Sequence, residues 1–379
     1  MKQHYFDYAA STPMDTDVLA AMQPYLTTQF YNPSAEYLAA KEVRQALEHA
    51  RTTVSRVLGT RPSEVYFTAG GTEANNMALQ GIMRQYPDAN VVVSAIEHSS
   101  VLEPAKLFDA QIAPVSSKGI IDLAALEKRI DEKTVLVSIM YANNEIGTVQ
   151  PIRKIANFLQ FVREERRKKG NKLPLFLHTD ACQAANYLDL HVSRLGVDLM
   201  TLNGSKIYGP KQSGALYVRA GIVLQPLVLG GGQEHGLRSG TENVAGAVGF
   251  AAELQKTEKV KRDESDRLKQ LRDNLISQLW VLTPNIKING HEKLRLPNNI
   301  HILIPDCDNE RLVMELDERG IICAAGSACS ASSEEPSHVL KAIGLSDKDA
   351  QSSIRITMGR GTTLKDTQTL AEVLTEVLQ

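Results

Sequence analysis

Between residues 60 and 220, short apolar runs alternate with longer stretches of helical period. The runs are EVYFT (64–68), NVVVSA (90–95), TVLVSIMY (134–141), PLFLHT (174–179), DLMTL (198–202) and GALYV (214–218). Runs this short with little polar alternation predict strands covered on both faces. TEANNMALQGIMRQ and IRKIANFLQFVREERRKK fall between them and predict helices, with apolar residues returning every three or four positions. Buried strands alternating with helices predict an α/β domain around a mostly parallel sheet.

After Gly246 the pattern changes. AVGFAAELQKTEKVKRDESDRLKQLRDNLISQLW is apolar first and then charged, and predicts a long helix leading out of the large domain. Beyond it lie strand-like NNIHILI (298–304), a helix at ERLVMELDERG and strand-like SSIRITM (352–358), which predict a small α+β domain. The charge run REERRKKGNK (163–172) mixes both signs and closes an amphipathic helix, so it reads as a solvated helix end.

Composition narrows the setting. At 379 residues the chain exceeds one ordinary core, which fits one large and one small domain. A formal net charge of -2 gives no general pull toward nucleic acid or an anionic membrane. The start, MKQHYFDYAASTPMD, has no apolar stretch of the secretory kind, and no run approaches a membrane span. Cys182, Cys307, Cys323 and Cys329 form no disulfide framework, and no Cys/His spacing suits zinc. The expected setting is a reducing cytoplasm, with no metal.

Chemistry collects after the strands. TAGGTEANN (68–76) follows a strand and opens a helix, so Gly70, Gly71 and Thr72 can cradle a phosphate on free N–H groups. Alone, it reads equally well as a plain strand-to-helix turn. HTDACQAA (178–185) puts Asp180 and Gln183 just past a strand, where open sheets bind ligands, although Asp180 alone reads more readily as a cap of the next helix. LNGSKIYGPKQSGALYV places Lys206 after the next strand as a Schiff-base candidate, and Lys211 competes for the role from farther along. His98, in AIEHSSV, follows another strand and could stack on a ring and exchange protons. Together, a phosphate cradle, a strand-end Asp and a lysine would serve pyridoxal phosphate (PLP).

The ordered motifs YFDYAASTP, GGTEANN, AIEHSSVLEP, ANNEIGTVQPI, HTDACQAA, SKIYGPK, GGGQEHGLRSGTEN, GSACSASSEEPSHVLKAIGL and SSIRITMGRGTT span almost the whole chain. In them the chain resembles the cysteine desulfurases of the NifS/IscS type, PLP enzymes of the class V aminotransferase family with the aspartate aminotransferase fold. GSACSAS resembles the subgroup whose cysteine rides on a long mobile loop. The resemblance implies a fold-type-I architecture with a mostly parallel seven-stranded sheet. It implies a large PLP-binding domain over residues 15–250, and a small domain from 1–14 and 251–379 carrying the loop at about 324–336.

The resemblance also implies roles. Lys206 would hold PLP, Asp180 would pair with its ring nitrogen, Gln183 would meet its phenolic oxygen and His98 would stack on the ring. Gly71 and Thr72 would bind the phosphate, with Asn203 and Ser205 beside it. Thr241 would reach the phosphate of the neighbouring subunit in a homodimer. Asn144 and Arg355 would clamp the carboxylate of the substrate, L-cysteine. Cys329 would take the sulfur as a persulfide, with His98 a candidate base for its thiol, and pass it to an acceptor protein. Iron–sulfur assembly, tRNA thiolation and DNA phosphorothioation are the destinations such enzymes serve. A selenocysteine lyase, another PLP enzyme of this fold and a non-catalytic scaffold are the competing readings.

The chain departs from the family pattern twice. Asn203-Gly204-Ser205 precedes Lys206 where relatives commonly read Ser-Gly-His, which implies weaker PLP retention. Glu36, Tyr37 and Ala39 occupy an entry segment where relatives show His and Gly, which implies altered substrate access or partner choice. The Gly/Ala/Ser run around Cys329 offers little to pack, and predicts looseness at 327–335.

Overall fold

The computed structural model describes residues 3–326 and 336–378. In chain order its strands are β1 (His4–Tyr5), β2 (Val65–Thr68), β3 (Asn90–Ser94), β4 (Asp109–Ala113), β5 (Thr134–Ser138), β6 (Phe176–Asp180), β7 (Leu199–Asn203), β8 (Gly214–Val218), β9 (Lys287–Ile288), β10 (Asn299–Leu303), β11 (Ile321–Ile322) and β12 (Ser353–Thr357). The large sheet has seven strands in the order β2-β8-β7-β6-β5-β3-β4. Only β8 runs against its neighbours; the other adjacent pairs are parallel.

The continuous apolar runs are explained by cover on both faces. Val92, Val137, Leu177, Met200 and Ala215 bury into one core, and their chain neighbours Val91, Leu136, Leu199 and Leu216 into another on the opposite face. β4 was not expected from the sequence. DAQIA carries one large apolar residue, Ile112, because β4 lies at the sheet edge and is half exposed.

A further core lies around the antiparallel sheet β12-β10-β9, where Ile300, Ile302, Ile354 and Ile356 meet Phe6 and Leu374. The helix Val244–Leu282 serves both regions. Phe250, Ala251 and Leu254 belong to the large core, and Leu268, Leu271, Leu275 and Leu279 to the second. β1 pairs in parallel with β11, and residues 7–12 then run from the second core to the large sheet. After residue 336, Val339, Leu340 and Ile343 bury against Ile96, Met140 and Ile146 beside the large sheet.

One reading is corrected. The run 163–172 is not merely a solvated helix end. Arg166 is buried and donates to the carbonyls of Thr134 (2.7 Å) and Asp131, while Arg163 reaches the Leu175 carbonyl at 2.7 Å and Asp198 at 2.6 Å. These guanidiniums fasten the helix Ile152–Lys168 to carbonyls at the start of β5 and just before β6. Cys329 and the expected looseness at 327–335 lie outside the described residues. No helix among the described residues is long and apolar enough to cross a membrane.

Candidate active site

Strands β2, β3, β5, β6 and β7 point the same way, so their carboxyl ends gather at one edge of the sheet, where ligands bind in open α/β folds. A cleft of about 150 Å³ opens there. It brings together Gly71 and Thr72 after β2, His98 after β3, Asn144 after β5, Asp180 and Gln183 at β6, and Asn203 and Lys206 at β7. Arg355 of β12 closes it from the second core. Ser205 adjoins the cleft through Asn203. Thr241 lines a separate hollow with Arg238 and Asn243.

The β2-to-helix turn depends on glycine. Gly70 has φ 129°, a conformation that side chains rarely adopt. A Cβ on Gly71 would lie 2.8 Å from the Cys182 Sγ, so only glycine lets the helix Gly71–Met83 start this close to β6. Its first-turn N–H groups have no carbonyl one turn back, and with the helix dipole they favour an anion. Asn203 abuts this turn, and its Oδ1 accepts from both the Ser205 N–H and the Ser205 hydroxyl at 3.0 Å. The Ser205 hydroxyl is therefore engaged by its neighbour.

Asp180 is buried, with both oxygens bonded. Asn75 Nδ2 donates to Oδ2 at 2.7 Å, and the Cys182 N–H to Oδ1 at 2.9 Å. Asn75 Nδ2 also donates to Ser100 Oγ at 2.8 Å, and Ser100 Oγ lies 2.8 Å from His98 Nδ1. A chain of hydrogen bonds thus joins Asp180 to His98 through Asn75 and Ser100.

His98 caps the helix Ser99–Ala105, and its Nδ1 accepts from the Ser100 N–H at 3.1 Å. That bond requires a lone pair on Nδ1, so the neutral ring carries its proton on Nε2. Burial holds the His98 pKa below the ordinary value and nearby Lys206 adds to this, against the pull of Asp180. His98 is therefore a neutral ring with Nε2–H as its outward donor. In this tautomer it cannot take a proton from a thiol at Nε2, which counts against the expected role as base for Cys329.

The segment 7–12 forms the facing wall. The Ala10 carbonyl accepts from Lys206 Nζ at 2.5 Å, and the Ala9 carbonyl from Gln183 Nε2 at 2.9 Å. Arg355 is 1% exposed; its Nη2 donates to Asp7 Oδ1 at 2.7 Å and its Nη1 to the Asn144 carbonyl at 3.2 Å. Its Nε is buried with no partner.

The described cysteines are poor nucleophiles. Burial, then the Asp180 charge, pushes the Cys182 thiol well above its ordinary value. Burial pushes Cys323 up to about 12 and also raises Cys307. All three are neutral thiols near pH 7, and attack requires thiolate.

Sequence reasoning missed Asn75, Ser100, Cys182 and Asp7. Asn75 stands in GGTEANN and Ser100 in AIEHSSV, within quoted motifs, and their polar side chains beside a strand end were the available signal. Asp7 stands in YFDYAASTP, also a quoted motif, where a carboxylate in an extended segment was the available signal.

The aminotransferase class-V family model matches residues 4–370. A cysteine desulfurase IscS 1 from Archaeoglobus fulgidus is 40% identical over 382 residues, covering 99% of this chain and 97% of the relative. A solved NifS-like protein superposes with a TM-score of 0.90 at 32% identity, covering 99% of each chain. A solved SspA in complex with cysteine gives a TM-score of 0.80 at 33% identity, covering 94% of this chain and 98% of that one. The chain belongs to the class-V aminotransferases, as a PLP-dependent cysteine desulfurase of the IscS/NifS type.

Proposed function

We propose that this cleft converts L-cysteine to L-alanine, with Lys206, Asp180, His98, Asn144 and Arg355 as its working side chains and Cys329 as the sulfur carrier. The carrying observation is that one cleft gathers a lysine, a buried carboxylate, an imidazole of fixed tautomer and a buried guanidinium with an unpartnered N–H.

The residues fit PLP. Gly71 and Thr72 offer a helix N-terminus to its phosphate, and glycine at 71 lets that helix start close against Cys182 and Asn203. Asn203 stands beside them. Asp180 would keep the ring nitrogen protonated, Gln183 would meet the phenolic oxygen, and His98 would cover one face. Bound there through Lys206, PLP supplies an electron sink for the substrate's α-carbon.

The protein's own steps follow. Arg355 and Asn144 bind the substrate carboxylate, which orients the α-hydrogen toward Lys206. Lys206 Nζ would carry that proton. His98 presents Nε2–H and so donates rather than accepts. The Cys329 thiolate attacks the substrate sulfur, the carbon–sulfur bond breaks, and alanine leaves while Cys329 keeps the sulfur as a persulfide. An acceptor protein then receives it.

Thr241 lies outside the Lys206 cleft of its own chain, which supports its reaching the cleft of a second copy in a homodimer. The acceptor belongs to iron–sulfur assembly, tRNA thiolation or DNA phosphorothioation, and the setting is the cytoplasm. The test is to incubate the protein with cysteine and measure alanine and protein-bound persulfide, in wild type and Cys329→Ala. Loss of both in the variant is expected. Alanine formation unchanged by the substitution would remove Cys329 from the mechanism.

A further inference from the structure

We propose that Asp7 is the positioning residue for Arg355: it fixes the plane of the guanidinium that lines the cleft and so aims it at the substrate carboxylate. This rests on the reading of Arg355 as the carboxylate clamp.

The placement follows from the backbone. Asp7 forms a parallel bridge with Thr357, two residues beyond Arg355 on β12. The Phe6 carbonyl accepts from the Thr357 N–H at 2.7 Å, and the Thr357 hydroxyl oxygen accepts from the Ala9 N–H at 2.9 Å. These bonds lay residues 6–9 alongside β12, and none of them uses the Asp7 side chain. That side chain is left to meet Arg355 Nη2 at 2.7 Å.

A guanidinium has five N–H donors in a fixed plane. Asp7 takes one on Nη2 and the Asn144 carbonyl takes one on Nη1, so the plane is held from two directions. Nε–H receives nothing, although Arg355 is 1% exposed and lines the cleft. Two of the five donors are thus taken, and a ligand carboxylate in the cleft would meet those that face it. Asp7 also offsets the buried charge while the cleft awaits substrate. Its carboxylate repels that of the substrate, so its net benefit must come from orientation. An amide at position 7 keeps an acceptor oxygen and removes the charge, which separates the two effects.

The experiment titrates the PLP-loaded enzyme with L-alanine and with ethylamine, which lacks a carboxylate, following the visible absorption of the cofactor. KM and kcat for cysteine are measured alongside. Asp7→Ala is expected to weaken L-alanine binding by roughly 10-fold or more, the scale of a lost charge-assisted hydrogen bond. Ethylamine binding should stay unchanged, and KM should rise far more than kcat falls. Asp7→Asn should return L-alanine binding to within a few-fold of wild type.

Three outcomes overturn the proposal while leaving Arg355 as the clamp. These are unchanged L-alanine binding in Asp7→Ala, equal loss in Asp7→Ala and Asp7→Asn, and equal weakening of L-alanine and ethylamine. Arg355→Ala serves as the control. If that variant binds L-alanine as wild type does, the clamp reading falls, and the proposal with it.

Discussion

At the cofactor end of the cleft, Asp180 has both carboxylate oxygens bonded, and behind it His178 has both ring nitrogens engaged, by Ser138 at 2.8 Å and Thr201 at 3.1 Å. At the substrate end, Arg355 keeps an unpartnered Nε, and its cross-strand neighbour His301 keeps an unpartnered Nε2. The first set comes from parallel strands of one sheet, where side chains after successive strands can bond one another. The second comes from a small antiparallel sheet meeting residues 7–12 across the cleft. The difference separates the tasks. On the proposed roles, a group that keeps one charge state beneath the cofactor is saturated by its neighbours, whereas the guanidinium meant for a passing carboxylate is held by two bonds and keeps donors beyond them.

Substitutions at the two ends should therefore fail differently. Lys206→Ala should lower alanine formation by roughly 10²–10⁴-fold or more, and remove the cofactor's covalent attachment as read by absorption after denaturation. Survival of that attachment would transfer the role to Lys211. Asp180→Asn should lower kcat by about 10²-fold while KM changes little, because it removes charge from the cofactor end. A change mainly in KM would erase the distinction between the ends.

Two smaller effects sharpen the comparison. Ser205→His should slow PLP loss during dialysis, since the present hydroxyl bonds Asn203 and an imidazole adds a donor. Equal retention would mean that the cradle is already sufficient. The smallest effect concerns pH. Burial lowers His301 to about 3 from its ordinary value, and nearby Arg295 and Arg355 add to this. The unfolded chain takes up this proton as pH falls through about 6.5, the folded chain only near 3, so the contribution present above 6.5 is lost between them. Wild type should lose stability relative to His301→Gln between pH 7.5 and 5, read as urea midpoints. Parallel curves would contradict this.

Legibility in the sequence followed how local the cause is. The buried strands were readable because cover on both faces forces a continuous apolar run, and edge strand β4 was not because half of it faces solvent. Lys206, Asp180 and His98 were readable because each stands just past a strand in a quoted motif. The Asn75–Ser100 chain was not, since it joins helices whose approach is set by packing between residues 25 positions apart. Asp7 was harder still, because its partner lies 348 positions away. Arg166 misled because a charge at a helix end is ordinarily solvated, and only the fold shows the sheet carbonyls within its reach.

The helix Val244–Leu282 has a consequence for how the molecule comes apart. Its 39 residues extend about 58 Å at 1.5 Å per residue, with Phe250 in one core and Leu275 in the other. Melting either core strips one half of this rod of its packing, and the exposed half has little reason to remain helical alone. The return of the N-terminal segment to β11 and β12 ties the same two regions a second time. Loss of one region should therefore bring down the other, giving a single cooperative transition in place of the two steps that two independent cores would give.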